Sequence, residues 1–521
     1  MSDPAQAERP GAFDPVELTV ERAQAAFAAG AITSEALTRA FFDRIAAYNP
    51  RYNAVIFLNE GAPADAREID RRRAAGEALG PLAGVPVVVK DTMDMAGFPT
   101  TGGWSLLYGG TGGVDLVPAT DSPVVARMRA AGAIILGKTN VPVLSATGSH
   151  ANDSWAGPTL NAAAPDLLPG GSSAGTATAV AAGMAVLGLA EETGGSIQNP
   201  ASAQALVGIK PSFGLVPNAG VMPLAGGTRD VVGPIARCVR DAALALDALA
   251  GFTAEDPKTV AGIGHRPKGG YAAGLDAGAL RGKRLGLYGP GWRDRPLSEE
   301  TATLYRRAVE ELGARGAVPV EDPFRDSGFA EIGRPVAGLD HYDARGMECV
   351  PYDMQKYLER LGPGAAVRDF AGFAAATAKE DAFGPTGVLR LVHQLPGFAL
   401  CLADPGRPPD LSDFLAAKEA YLEIFDAVMG RERLDALVFP QMRDALPPLH
   451  GPETIHETTV CEINIAGLPG VTVPAGYHAS GAPFGLIFVG RMWNEAALLS
   501  LAYDYECATR HRRAPVLAPG R

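Results

Sequence analysis

The chain has 521 residues, 47% of them hydrophobic and 20% charged, a balance that buries a large core and excludes a disordered or fibrous chain. Its formal net charge of −12 argues against a broad surface for nucleic acid or anionic membrane. Glycine and proline are abundant but spread along the sequence, so they read as tight turns and close backbone approaches.

The N-terminal stretch MSDPAQAERPGAFDP lacks the basic and apolar segments of a secretory leader. No apolar run approaches the roughly 18 residues of a membrane helix. The longest, Ala177 to Ala190, is rich in Ala and Gly and reads as a buried helix leading into a strand. Five scattered cysteines without a CxxC read as reduced core thiols, and the expected location is cytoplasmic. Eight histidines without HExxH give a metal site no support.

In chain order, Asp14-Pro15-Val16-Glu17 has the order of an N-cap, an N1 proline and an N3 acid, which predicts a helix running to about Ala28. A second amphipathic helix is expected from about Ser34 to Tyr48. AVIFL (54–58), VPVVV (85–89) and AIIL (133–136) read as short buried strands, and Val124 to Ala131 as a helix between the last two. Such alternation predicts an α/β sheet covered by helices. A helix at Asp241 to Ala250 and a Gly-rich, charged connection over 252–282 precede a strand RLGLY (284–288). The stretch from about 295 to 435 reads as mostly helical and irregular. Strands return at ALVFP (436–440), VTVPA (471–475) and FGLIFVG (484–490), and a last helix covers about Glu495 to Thr509.

Three glycine-rich signals compete for the chemistry. Gly132 to Thr139 fits GxxxxGK[ST], with Lys138 as its lysine, but its middle residues AIIL are strand-like and Asn140-Val141-Pro142 follows where a phosphate loop needs a helix. Gly171-Ser-Ser173-Ala-Gly175 fits the nucleophile elbow GxSxG, yet a proline-containing loop precedes it where that motif needs a strand. The third signal is a pair of serine loops. Pro169-Gly-Gly-Ser172 opens a small-residue helix, a strand follows, and Glu191-Glu-Thr-Gly-Gly-Ser196 comes 24 residues after Ser172. A helix and a strand between them can return both serines to one sheet edge. Lys90, at the end of VPVVV, can reach the same edge.

Together these stretches resemble the amidase signature family. The likeness is carried by PLAGVPVVVKDTMDMAGFPTTGG (81–103), AGAIILGKTNVP (131–142), PGGSSAGTATAVAAG (169–183) and TGGSIQNPAS (193–202). GIKPSFGLVP (208–217), DVVGPIARCVRDAALALDALAG (230–251) and NIAGLPGVTVPAG (464–476) extend it. It covers about 20–255 and 435–515 and is weak over 256–434. The resemblance implies a single amidase domain over 1–521, with a large mixed central sheet sandwiched by helices and a mostly helical variable insertion. It implies Ser196 as nucleophile, Ser172 as proton bridge, Lys90 as neutral base, and an oxyanion hole from the amides of Thr193, Gly194, Gly195 and Ser196.

The chemistry has need of these roles. A serine hydroxyl must lose its proton as it attacks an amide, and without a matching histidine a desolvated lysine is the available base. The resemblance implies no cofactor. It predicts hydrolysis of a small aliphatic or aryl carboxamide, with no nucleic-acid or membrane partner, and leaves a homodimer open. The alternatives are the A-type subunit of a tRNA-dependent amidotransferase, a hydrolase of this fold preferring esters or carbamates, and an inactive binding protein. Two departures from the family stand beside the site: Glu191-Glu192 where Ser-Asp is usual, and Gln198 where Arg is frequent. If a helix begins after Ser196, its dipole is expected to add to the oxyanion field. Tyr342, Tyr352, Tyr357, Phe370 and Phe373 are candidate linings of the acyl pocket.

Overall fold

The computed structural model describes residues 14–146, 153–339 and 342–520; the leader reading falls mostly on residues outside these. The first helix, α1 (Val20–Ala28), starts later than Asp14-Pro15 predicts. Glu17 takes φ +50°, which breaks helical geometry, and Thr19 becomes the cap, its hydroxyl accepting from the Arg22 amide. The distant Asp241 carboxylate accepts from the Val20 amide and fixes that start. Helix α2 (Ser34–Tyr52) passes Pro50 and ends only at left-handed Asn53.

Next come β1 (Val55–Leu58), α3 (Ala62–Ala74), β2 (Pro86–Lys90), α4 (Pro123–Ala130), β3 (Ile134–Thr139), α5 (Ala174–Ala181) and β4 (Leu187–Glu192). They are followed by α6 (Gln198–Ala203), β5 (Val207–Lys210), β6 (Val231–Ala236) and α7 (Val239–Leu249). The second half holds β7 (Arg284–Leu287), α8 (Glu299–Ala314), β8 (Val318–Val320), α9 (Val350–Arg360), α10 (Phe370–Ala376), α11 (Phe398–Ala403) and α12 (Ser412–Arg431). It closes with β9 (Ala436–Pro440), α13 (Cys461–Ala466), β10 (Gly470–Tyr477), β11 (Pro483–Val489) and α14 (Glu495–Thr509).

All eleven strands form one sheet in the order β1-β3-β2-β4-β6-β5-β10-β11-β9-β7-β8. It is mixed: β2 runs parallel to β3 and β4, whereas β6 pairs antiparallel with β4 and β5. Strands β5, β6 and β8 are additions to the sequence reading. In β6, the chain VVGPIA hides its strand character behind Gly233 and Pro234. A side chain at Gly233 would collide with the Ile209 carbonyl oxygen of β5, so glycine permits the close strand approach. Pairing with β5 involves only Ile235 and Ala236 and ends before Pro234.

The main apolar cluster covers the sheet, with Val87, Val89, Ile135, Leu187 and Ile209 among its buried residues. The middle stretch has its own cluster of Met354, Tyr357, Phe370, Phe373 and Phe398, which is shared with Trp104, Leu107 and Met222 from the first half. A third gathers Trp292, Phe324, Phe329 and Phe425. Among the described residues, no helix is long and apolar enough to cross a membrane.

Candidate active site

Parallel neighbours end together, and that brings the chemistry to one place. Val87 and Val89 of β2 pair with Leu187 and Leu189 of β4, so the C-terminal ends of both strands share one edge. Lys90 is the last residue of β2; Glu191 and Glu192 end β4, and Thr193 to Ser196 turn away from it. Helix α5 packs on β2, β3 and β4 and presents Ser172 just ahead of its first turn, after a cis Gly171–Ser172 peptide.

Lys90 is fully buried, and its Nζ donates to Ser172 Oγ at 2.7 Å and to the Glu191 carbonyl oxygen at 3.3 Å. Burial disfavours the ammonium and lowers the Lys90 pKa from its ordinary 10.5, against the opposing pull of Glu191, Asp230 and Glu192. Ser196 is 6% exposed and borders a cavity. Among the described residues no hydrogen bond joins Ser172 to Ser196.

The amide groups of Thr193, Gly194, Gly195 and Ser196 donate to no protein acceptor among the described residues. Gly195 takes φ +88°, a conformation that favours glycine. The Thr193 hydroxyl donates to Asp230 Oδ1 at 2.5 Å, and Asp230 Oδ2 accepts from the Leu224 and Ala225 amides at 2.9 Å each. These bonds hold the turn. The expected helix after Ser196 exists, but α6 has only six residues, and its leading amides are already engaged. Glu192 Oε2 accepts from Ile197 N at 2.8 Å and Gln198 N at 3.1 Å. Glu192 therefore takes the amides at the start of α6, which are not free to serve a substrate. Gln198 Nε2 also donates to Glu192 Oε1, as does Asn464 Nδ2 at 3.0 Å, so an acid–amide pair occupies this position.

The cavity has a volume of about 580 Å³. Thr193, Gly194 and Ser196 form its floor, with Leu224, Leu339, Tyr342, Met347, Val388, Leu391, Ile455 and Val460 as apolar wall. Asp153, Arg390 and Glu457 add charge. Of the five candidate aromatics only Tyr342 lines it, close enough to Gly194 that an added Cβ there would lie 2.9 Å from its ring. Tyr357 is buried and donates to Asp94 Oδ1 at 2.9 Å; Phe373 packs on Trp104; Tyr352 sits under Lys356. Phe370 borders a second cavity of about 870 Å³, which meets the first at Arg390 and Leu391.

Sequence reasoning missed Glu457 and Asn199. Asn199 Nδ2 donates to Glu457 Oε1 at 2.6 Å, and the Gly171 amide donates to Asn199 Oδ1 at 3.3 Å, so Asn199 links the Ser172 loop to the cavity wall. Burial raises the Glu457 carboxyl above its ordinary value. Nothing local marks Glu457, which lies 258 residues from its partner. The two rejected motifs hold structural roles. Gly137-Lys138-Thr139 continues β3, and Lys138 is buried against Asp91 at 3.0 Å; Ser173 donates to the Glu191 carbonyl oxygen.

A family model described as Amidase matches residues 36–331. The chain is 34% identical to the A-type subunit of the glutamyl-tRNA(Gln) amidotransferase of Moorella thermoacetica, over 93% of this chain and 96% of that one. It is similar to the native peptide amidase of Stenotrophomonas maltophilia, with 34% identity, a TM-score of 0.78, and coverage of 96% and 99%. A peptide amidase in complex with the competitive inhibitor chymostatin gives 35% identity and a TM-score of 0.79, with coverage of 97% and 100%. These alignments run through the middle stretch, where the sequence motifs alone indicate only a weak match.

Proposed function

The chain belongs to the amidase signature family, and we propose that it hydrolyses the C–N bond of a small carboxamide through an acyl-enzyme on Ser196. The observation that supports this most is the 2.7 Å contact between buried Lys90 and Ser172, at the sheet edge where the turn from Thr193 to Ser196 leaves its amides without a protein acceptor. In this reading neutral Lys90 draws the Ser172 proton as Ser172 takes that of Ser196, and Ser196 Oγ adds to the amide carbonyl. The oxyanion forms against the amides of Thr193 to Ser196. The proton then returns through Ser172 to the leaving nitrogen, and water repeats the sequence on the ester. The apolar wall of the 580 Å³ cavity suits an aliphatic or aryl acyl group.

A second reading has support of its own. The Moorella relative is named for amide transfer to tRNA, which would restore partner chains and nucleic acid to the account. Arg390, with Asp153 and Glu457, also gives the cavity wall one cation and two acids, groups of both signs that an amino-acid amide such as glutamine could meet. Both readings use the same chemistry at Ser196. A weak motif match in the middle stretch favours a stand-alone enzyme, and the breadth of the alignments takes away much of that support.

Ammonia release by the purified chain separates them, using aliphatic amides, anilides, peptide amides and glutamine, with esters and carbamates for comparison. Turnover of a simple amide by the chain alone supports the first reading. Glutamine turnover that appears only on adding the other amidotransferase chains replaces it with the second. No labelling of Ser196 by a fluorophosphonate would remove both.

A further inference from the structure

Glu191 stands where the resembled family usually has serine, and the scheme above gives its side chain no role. Its carboxylate is buried, with 2% of the side chain exposed. Oε2 lies 3.5 Å from Lys90 Nζ and accepts from Thr92 Oγ1 at 2.8 Å, while Oε1 is buried without a hydrogen-bond partner among the described residues. We propose that Glu191 is a positioning residue for the base: it orients the neutral Lys90 amine toward Ser172 and faces the ammonium that forms there during acyl transfer.

This role depends on Lys90 acting as the base, and valence sets the orientation of its amine. A neutral amine has two N–H donors and one lone pair. The Glu191 carbonyl oxygen and, in its ionised form, the Glu191 carboxylate only accept, so both draw N–H groups. Of the three neighbours only the Ser172 hydroxyl can donate, and the lone pair is left pointing at it. One residue, through its main chain and its side chain, thereby selects the productive orientation. As Ser196 Oγ bonds to the carbonyl carbon and the C=O pair moves to oxygen, Ser196 gives its proton to Ser172, Ser172 passes its own to Lys90, and Glu191 takes none.

The cost is a harder deprotonation. A carboxylate at 3.5 Å favours the ammonium in the resting enzyme, so Lys90 needs a higher pH to become a base. Other acids face the pair as well. Asp230 approaches from the loop before β6 and Glu192 follows on β4, but both are tied down, Asp230 by Thr193 and two amides, Glu192 by α6 and Asn464. Burial pushes the Glu191 carboxyl up to about 7; Lys90 opposes that rise and Asp230 adds to it.

The test is the rate of Ser196 labelling by a fluorophosphonate across pH, which needs no knowledge of the natural substrate. The wild-type rate should rise with pH along an acid limb that disappears in Lys90→Ala. In Glu191→Gln the limb should move down by about 1–3 pH units, and the plateau should fall by about tenfold. Glu191→Asp, which keeps the charge, should restore most of the wild-type profile. Glu191→Ser, the residue usual in the family, gives a second variant and should move the limb the same way. A limb that stays put or moves up in both Gln and Ser variants overturns the proposal while leaving Lys90 as base. A wild-type limb that survives in Lys90→Ala overturns the base reading and this proposal with it.

Discussion

Two lysines lie fully buried on adjacent strands, and their surroundings differ in how closely a carboxylate approaches. Lys138 on β3 pairs with Val89, one residue before Lys90 on β2. Its Nζ meets Asp91 at 3.0 Å, the Pro99 carbonyl oxygen at 2.8 Å and Thr100 Oγ1 at 2.9 Å, three acceptors for the three donors of an ammonium. Asp91 is held in turn by the Thr101 amide at 3.2 Å and by its hydroxyl. Lys90 has two oxygens within hydrogen-bond distance, at 2.7 and 3.3 Å, one of them a hydroxyl able to donate back, and its carboxylate neighbour Glu191 stands off at 3.5 Å. Burial is common to both. What separates a structural cation from a candidate base is how completely its donors are consumed.

Substitutions should separate the two lysines. The largest effect is expected from Lys90→Ala, which should lower amide turnover about 10²–10⁴-fold at a smaller cost in the urea midpoint than Lys138→Met, because the Glu191 carboxyl, already raised to about 7, can take up a proton. Equal loss of stability and activity would erase the distinction. Lys138→Met should do the reverse, costing about 3–5 kcal/mol in urea unfolding because it leaves Asp91 buried without its cation. The pH profile carries the same contrast. With Lys90 as the proposed base and its pKa lowered from 10.5 by burial, turnover should rise with pH along a limb that falls short of ordinary lysine titration. That limb should persist unmoved, at whatever stability remains, in Lys138→Met.

Smaller effects test the frame around the pair. Gln198→Leu leaves Glu192 short of one donor and should cost about 1–3 kcal/mol in thermal or urea unfolding, with the acid limb where it was. Gly195→Ala forces an L-residue to φ +88° and should cost about 1–2 kcal/mol. Its added Cβ would also lie 3.1 Å from Glu457 Oε1, so turnover should fall more than stability does, as steady-state rates on the folded variant would register.

Local chemistry explains what the sequence makes legible. VPVVV, AIIL, ALVFP and FGLIFVG are apolar runs bounded by turn residues, and each is a strand within two or three residues of its expected limits. Glu495 to Thr509 matches α14 at both ends. The first helix departs from its expected start because the Asp14-Pro15 signal is local, whereas the capping Asp241 arrives from α7. Strand β8 is three residues long with Pro319 in its middle, too short and broken to show a period. In the site, Lys90, Ser172 and Ser196 are legible because flanking motifs fix their order along the chain. Asp230, Glu457 and Asn464 reach the same edge only through tertiary folding, and an isolated acid or amide leaves no periodic trace. The aromatic candidates mislead for a related reason: Tyr357 and Phe373 satisfy a core, and sequence alone gives a core ring and a lining ring the same appearance.

Arg390 and Leu391 border both cavities, so the partition between about 580 Å³ and about 870 Å³ of space is one stretch of side chains thick. That makes it a ruler. On the proposed acyl-enzyme reading, side-chain length at this wall would limit the acyl chain that the cavity beside Ser196 accepts. A single codon can reset such a gauge, and Leu391→Ala should shift the optimum of a homologous amide series toward longer chains while the chemistry at Ser196 keeps its pH dependence.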